Sequence, residues 1–187
     1  MKNYIIIPGS ANTPYENWYQ WAKEELEKQG FNVCVPYLPQ GEFQNYKVWA
    51  KIITSYIKSG VINKNTTIIA HDVACVFITR LLIETKTSIA GIIAISPFNI
   101  ITGMEEDKLN KSFIVKNDKL KKIDRYVKFY HAIIADNDPY ITEDVFNKFC
   151  EATGAKKHEV VGAGHFNGKV KTFNELIELI DDINKII

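Results

Sequence analysis

Six short runs suited to β-strands alternate with longer stretches of helical periodicity, and this alternation limits what the chain can fold into more than any other feature. The runs span residues 4–7, 31–35, 66–70, 89–95, 127–134 and 158–161. The run at 89–95 is continuously apolar, the pattern of a central parallel strand covered on both faces. Strands that alternate with helices pair in parallel, because each crossover returns the chain to the same end of the sheet. The expectation is an α/β three-layer sandwich around a six-stranded, mainly parallel sheet, in the strand order two, one, three, four, five, six. At 187 residues, against roughly 150 per domain, residues 1–187 fit one domain.

The intervening stretches carry helical signals. Trp18, Trp21, Ala22 and Leu26 share one face of 16–29, with Gly30 as the stop. Val48, Trp49, Ile52, Ile53, Tyr56 and Ile57 stripe 45–59. Residues 73–84 are apolar on most sides and read as a buried helix. Thr142 can cap a helix running through Cys150, with Glu143 and Asp144 complementing its dipole. Phe173, Leu176, Ile177, Ile180 and Ile183 stripe a last helix. Residues 97–125 form the longest stretch without a strand. Leu109, Phe113, Leu120 and Ile123 are scattered through it, and it reads as a surface excursion with a helix or two, forming a small lid.

Composition removes several classes of function. Lys plus Arg number 23 against 22 acidic residues, so no basic excess drives phosphate-dominated nucleic-acid binding. No apolar run reaches the roughly 18–20 residues of a membrane span, and the first nine residues break at Pro8-Gly9 too early for a signal peptide. Cys34, Cys75 and Cys150 form an odd set without a C-x-x-C pair, so neither a disulfide framework nor a four-ligand zinc site is expected, and a reducing cytoplasm fits best. No cofactor is implied, since Pro8-Gly9-Ser10 lacks the later glycines of a dinucleotide fingerprint.

Sites in parallel α/β sheets lie just past the carboxyl ends of the strands. Strand three runs directly into Ala70-His71-Asp72-Val73-Ala74 and then a helix, with small residues two before and two after Asp72. That is the geometry of a nucleophile elbow, whose usual form is G-x-S-x-G. Strand five ends at Asp136-Asn137-Asp138, where a carboxylate can orient an imidazole. Strand six ends at Gly162-Ala163-Gly164-His165, whose glycines allow a tight turn. Nucleophile, acid, histidine is the chain order of the α/β-hydrolases. Ser10 follows strand one, where its backbone N–H can serve an oxyanion hole together with that of Val73.

With these pieces in place, the chain resembles the small single-domain serine hydrolases typified by retinoblastoma-binding protein 9. The resemblance covers nearly the whole chain. It rests on Ile7-Pro8-Gly9-Ser10, Trp18-Tyr19-Gln20-Trp21, the elbow at 70–74, Ser96-Pro97-Phe98, Asp138-Pro139-Tyr140 and Gly164-His165-Phe166-Asn167. It implies an α/β-hydrolase-like fold without a full cap domain, and a triad of position 72, Asp138 and His165. The family has Ser at position 72 and this chain has Asp, so serine chemistry does not transfer. His71-Asp72 resembles the G-H-D-x-G of epoxide hydrolases and haloalkane dehalogenases, in which a carboxylate attacks an sp3 carbon and the histidine then activates water. Those enzymes use cap residues, often tyrosines, on the leaving group. At 187 residues this chain is expected to have no room for a full cap, and Val73 stands where dehalogenases tend to carry Trp.

Two expectations follow. One is a hydrolase of a small-molecule ester or sp3-carbon electrophile, with Asp72 as nucleophile, His165 as base and Asp138 as its orienter. The other is a catalytically silent relative that keeps the fold to hold a ligand or a protein partner. In the first, His165 between two carboxylates should have its pKa raised above about 6.5. Tyr15, Tyr37, Tyr126 and Tyr140 are candidate donors to a leaving group. His71 reads as a hydrogen-bonded structural residue. His131 and His158 show no partner at ligand spacing, which favours core or surface roles over metal. The Asp136-Asn137-Asp138 run lacks the downstream glutamate of a calcium loop. Cys75 reads as an inert core thiol, and Trp18, Trp21 and Trp49 as packing residues.

Overall fold

The computed structural model describes residues 2–101, 103, 105, 107–168 and 170–186. In chain order the elements are β1 (Asn3–Ile7), α1 (Tyr19–Lys28), β2 (Asn32–Cys34), α2 (Tyr46–Lys58), β3 (Thr66–His71), α3 (Val73–Thr85), β4 (Gly91–Ile95), α4 (Asp107–Asn110), α5 (Asn117–Leu120), β5 (Phe129–Ala135), α6 (Glu143–Thr153), β6 (Lys156–Val160) and α7 (Asn174–Ile186). Short 3-10 turns at Gly41–Phe43 and Lys121–Arg125 complete the set. The strands form one sheet in the order β2-β1-β3-β4-β5-β6, and every pairing is parallel.

Side chains alternate across the strands and so divide the interior in two. Ile5, Ile7, Ile68, Ala70, Ile92 and Ala94 face α2, α3 and α6. Tyr4, Ile6, Ile69, Ile93, Ile133 and Val160 face α1 and α7. Caps set the helix starts where the sequence supplies them. The Asn45 side chain accepts from the N–H of Val48 at 3.1 Å and Thr142 accepts from that of Val145. Because β2 and β3 lie on opposite sides of β1, the chain reverses direction across the sheet between β1 and β3. A crevice opens at the carboxyl end of the strands at such a point. No helix among the described residues is long and apolar enough to cross a membrane.

Several boundaries and one larger expectation are corrected. The first helix begins at Tyr19 rather than residue 16, because Asn17 adopts a left-handed φ of 53° that a right-handed helix cannot include, a conformation its side-chain NH2 braces by donating to Asn12 Oδ1. The last strand spans Lys156–Val160, and Val161 is exposed. As an edge strand with mostly exposed side chains it carries little apolar signal. Residues 97–125 do not form a surface excursion: Phe113, Leu120 and Ile123 are fully buried and join the core of α2 and α3. Phe113 packs edge-on against Phe77 and at a tilt against Trp49, with ring centroids 5.9 and 4.9 Å apart. Thr102, Met104 and Glu106 of that stretch lie outside the described residues.

Candidate active site

Asp72 occupies the turn between β3 and α3 with φ 57° and ψ −131°, a strained conformation for a residue with a Cβ. The turn is held by Asp72 N–H on the Ile95 carbonyl, 2.9 Å, and by close packing against β1. A Cβ added at Gly9 would lie 2.8 Å from Asp72 Cβ, so only glycine lets the two loops meet. This approach brings the Ser10 N–H to Asp72 Oδ2 at 2.8 Å. Val73 begins α3, and an N–H of the first helical turn has no intrahelical acceptor.

Asp138 and His165 sit across the same crevice. His165 Nδ1 lies 2.9 Å from Asp138 Oδ2 and 3.1 Å from Oδ1. Asp138 Oδ2 also accepts from the Ser96 hydroxyl at 2.7 Å, and Oδ1 accepts from the N–H groups of Tyr140 and Ile141. The turn carrying His165 is tied to the end of β5: Gly162 N–H donates to Asp136 Oδ1 and Gly164 N–H to Asn137 Oδ1. The polar run after β5 therefore serves as an anchor for the histidine. On the other side of the ring, His165 Nε2 is 3.6 Å from Asp72 Oδ1, an ion-pair distance.

Charge follows from these contacts. Burial alone would lower the pKa of His165, but its pairing with Asp138 and then Asp72 raises it to about 9. Burial would raise Asp72 and Asp138; the His165 imidazolium outweighs it and holds both below the ordinary range. His71 is the opposite case. Burial, and then the His165 charge, lower it to about 4, so it is neutral. Its Nε2 faces the His165 carbonyl at 2.9 Å and must carry the proton, because a carbonyl only accepts. Nδ1 is then the acceptor for the Tyr19 hydroxyl at 2.6 Å, and Tyr19 in turn accepts from Gly9 N–H. This buried chain links the β1 loop to the histidine loop.

A cavity of about 280 Å³ opens over Asp72 and His165. Phe98 and Ile141 form its apolar wall, and Ser10, Asn12 and Asn110 contribute polar groups. Of the four tyrosines considered as donors, Tyr140 lines the cavity, with its ring centroid 5.1 Å from that of His165. Tyr15 and Tyr37 are exposed, and Tyr126 packs into the core of α2 and α3. Cys75 is fully buried, its thiol donates to the Ala70 carbonyl at 3.1 Å, and burial pushes its pKa up. Trp18 and Trp49 are fully buried.

The sequence hides contacts both away from the site and within it. His131 and His158 do have a partner, each other: His131 Nδ1 lies 2.7 Å from His158 Nε2. The β5–β6 register sets Ile133 opposite His158 and leaves His131 two residues off on the same face. Among the described residues no group of three or more His, Cys, Asp or Glu could hold a metal ion. Gln44 and Asn110, both buried, brace the β1 loop, and no periodic or motif signal marks either residue in the sequence.

The chain resembles known proteins over most of its length. The family model described as serine hydrolase matches residues 4–178. The YdeN protein of Bacillus subtilis (strain 168) is 25% identical over 168 residues, covering 88% of this chain and 86% of that protein. The crystal structure of the ydeN gene product superposes with a TM-score of 0.86 at 20% identity, covering 97% and 98% of the two chains. The monoacylglycerol lipase of Paleococcus ferrophilus gives 0.64 at 15% identity over 87% and 85%. Est1E of Butyrivibrio proteoclasticus, solved with ferulic acid, gives 0.72 at 12% identity over 98% and 88%. The fold is that of the α/β-hydrolases.

Proposed function

We propose that this chain, which belongs to the serine hydrolase family, is a hydrolase that has exchanged the serine nucleophile for Asp72 and attacks a small molecule at an sp3 carbon. The observation that carries this reading is the setting of the Asp72 carboxylate: Oδ2 on the Ser10 N–H at 2.8 Å, Oδ1 facing His165 Nε2 at 3.6 Å. The first oxygen rests where a developing oxyanion is stabilised, and the second is left to act.

The steps balance as follows. Asp72 Oδ1 bonds to the carbon while the leaving atom departs with the electron pair of its bond, giving an alkyl ester. No general base is needed, since Asp72 is already ionised. Esterification removes one of the two charges that keep His165 protonated, so its pKa falls, it gives its proton to the departing group or to solvent, and the neutral imidazole can then take a proton from water. The hydroxide attacks the ester carbonyl carbon, and Oδ2 carries the negative charge against the Ser10 N–H and the free N–H of Val73. Collapse breaks the bond between the carboxyl carbon and the alkyl-bearing oxygen. The departing alkoxide takes the proton from the His165 imidazolium to give the alcohol, and the Asp72 carboxyl then loses its own proton to His165, restoring carboxylate and imidazolium. An acyl ester substrate is disfavoured, because attack there would give an anhydride.

The test is intact mass of His165→Gln after prolonged incubation with a panel of epoxides and haloalkanes. Without the water-activating base the ester persists, so an adduct should map to Asp72 and be absent from Asp72→Asn. A panel that leaves Asp72 unmodified in both wild type and His165→Gln overturns the reading.

A further inference from the structure

One wall of the cavity has donors whose orientation is settled by the backbone. Ala11 N–H donates to Gln44 Oε1 at 3.1 Å, which fixes the other end of the Gln44 amide as Nε2. That NH2 group donates twice, to Ser10 Oγ at 2.7 Å and to Asn110 Oδ1 at 2.8 Å. Asn110 therefore turns its carbonyl toward Gln44 and its NH2 away. Gln44 and Asn110 are 2% and 5% exposed, so neither amide has room to flip freely. Ser10 and Asn110 both line the cavity over Asp72. The Asn110 NH2 and the Ser10 hydroxyl proton meet no acceptor among the described residues. Gln44 thus converts two ambivalent side chains into a pair of donors.

The charges of the cavity select what the pair receives. Asp72 and His165 line it, Asp138 stands behind His165, and no described lysine or arginine is on its surface. Two carboxylates against one imidazolium leave the site net negative, so an anionic substrate or a departing halide is repelled. A neutral electrophile whose leaving atom is a hydrogen-bond acceptor and remains attached to the product avoids that cost.

We propose that Ser10 and Asn110, aligned by Gln44, receive the oxygen of an epoxide and make this a site for small neutral epoxides. The inference rests on Asp72 as nucleophile. Asp72 Oδ1 bonds to one ring carbon as that carbon–oxygen bond breaks, and the electron pair goes to the ring oxygen, held by the two donors. The alkoxide takes a proton through cavity water from the His165 imidazolium, which is left neutral for the hydrolytic step; in His165→Gln, buffer acid makes that delivery more slowly. Water then splits the ester, and its surplus proton returns to His165. Ser10→Ala keeps the backbone N–H and loses the hydroxyl, Asn110→Leu keeps the size and loses the amide, and each leaves the Gln44 NH2 with one of its two acceptors.

The experiment measures the single-turnover rate of Asp72 alkylation, by intact mass, with styrene oxide and with 1-bromobutane. Styrene oxide should alkylate Asp72. Each variant should slow that reaction about 10- to 100-fold, the range for a hydrogen bond to developing charge, while any slower alkylation by 1-bromobutane changes less than about threefold. Thermal melts of both variants confirm folding. Alkylation by 1-bromobutane but not styrene oxide, or styrene oxide rates untouched in both folded variants, overturns the epoxide assignment and leaves Asp72 as nucleophile. No alkylation by either reagent overturns both.

Discussion

The four histidines form two pairs, one at the β5–β6 edge and one at the carboxyl end of β3. At the edge, His131 and His158 stack with ring centroids 5.0 Å apart. Burial lowers both, His131 to about 4, with the charge of Lys156 contributing to each. His71 and His165, with centroids 5.2 Å apart, are more deeply buried yet diverge, one to about 4 and the other to about 9. Burial pushes all four the same way. His165 departs because it alone lies between two carboxylates, whereas His71 contacts a hydroxyl and a carbonyl. Depth in the protein does not decide the charge of a histidine here; its acidic contacts do.

The comparison breaks most severely at Asp138. Asp138→Asn removes the charge and, because the Tyr140 and Ile141 N–H groups hold the amide oxygen at the Oδ1 position, puts an NH2 where Oδ2 faces His165 Nδ1, so His165 should shift toward the other three and lose its orientation. Ester hydrolysis should fall by about 10²–10⁴-fold, as when a triad histidine loses its carboxylate. Alkylation of Asp72 depends less on that orientation, because buffer acid can also protonate the departing alkoxide. Pre-steady-state mass analysis should therefore show the Asp72 ester accumulating. Equal loss of both steps would mean that Asp138 serves only to hold the loop together.

A smaller effect is expected in the pH dependence of stability. The folded pKa of His165 is raised, so its contribution is complete below about 6.5, the unfolded value, and is lost as pH rises through about 9. The folded values of His71 and His131 are lowered to about 4, so theirs is complete above about 6.5 and is lost as pH falls from about 6.5 to about 4. The depressed Asp72 and Asp138 add to the acid limb below their unfolded values near 4. Melting temperature should therefore peak near pH 6.5. In Asp72→Asn the alkaline limb should move to lower pH, since one of its two causes is gone. An unchanged alkaline limb would show that Asp72 does not hold the proton on His165.

How much of this was legible in the sequence depends on where each residue sits. β3 and β4 are buried along their whole length, so their apolar runs are unmistakable and locate Asp72 at once. Asp138 and His165 follow the next strand ends, and chain order alone pairs them. β6 lies at the edge with most side chains exposed, so its register was shifted and the His131–His158 contact was hidden with it. Phe113, Leu120 and Ile123 reach the core from short helices and turns with no period to reveal them. Gln44 contacts residues 34 and 66 positions away, and nothing local distinguishes it from any other loop glutamine.

The finest test concerns the neutral half of the site pair. Tyr19→Phe removes the hydroxyl that donates to His71 Nδ1 and accepts from Gly9 N–H, leaving two buried polar groups without a partner. Buried groups left unpaired in this way cost about 1–3 kcal/mol, a drop in melting temperature of roughly 2–4 °C per kcal/mol for a chain of this size. Tyr19 does not line the cavity, and the hydrogen bonds of its hydroxyl go to Gly9, Asn17 and His71, so chemistry should change only through the loops it links. His71 should remain neutral at pH 7, because burial is the main cause of its shift and Phe preserves it. NMR titration of His71 and His165 in the variant checks both halves together. A charged His71 near neutrality would show that the tyrosine contact, rather than burial, keeps the proton off, and the contrast between the two histidines would then rest on hydrogen bonding alone.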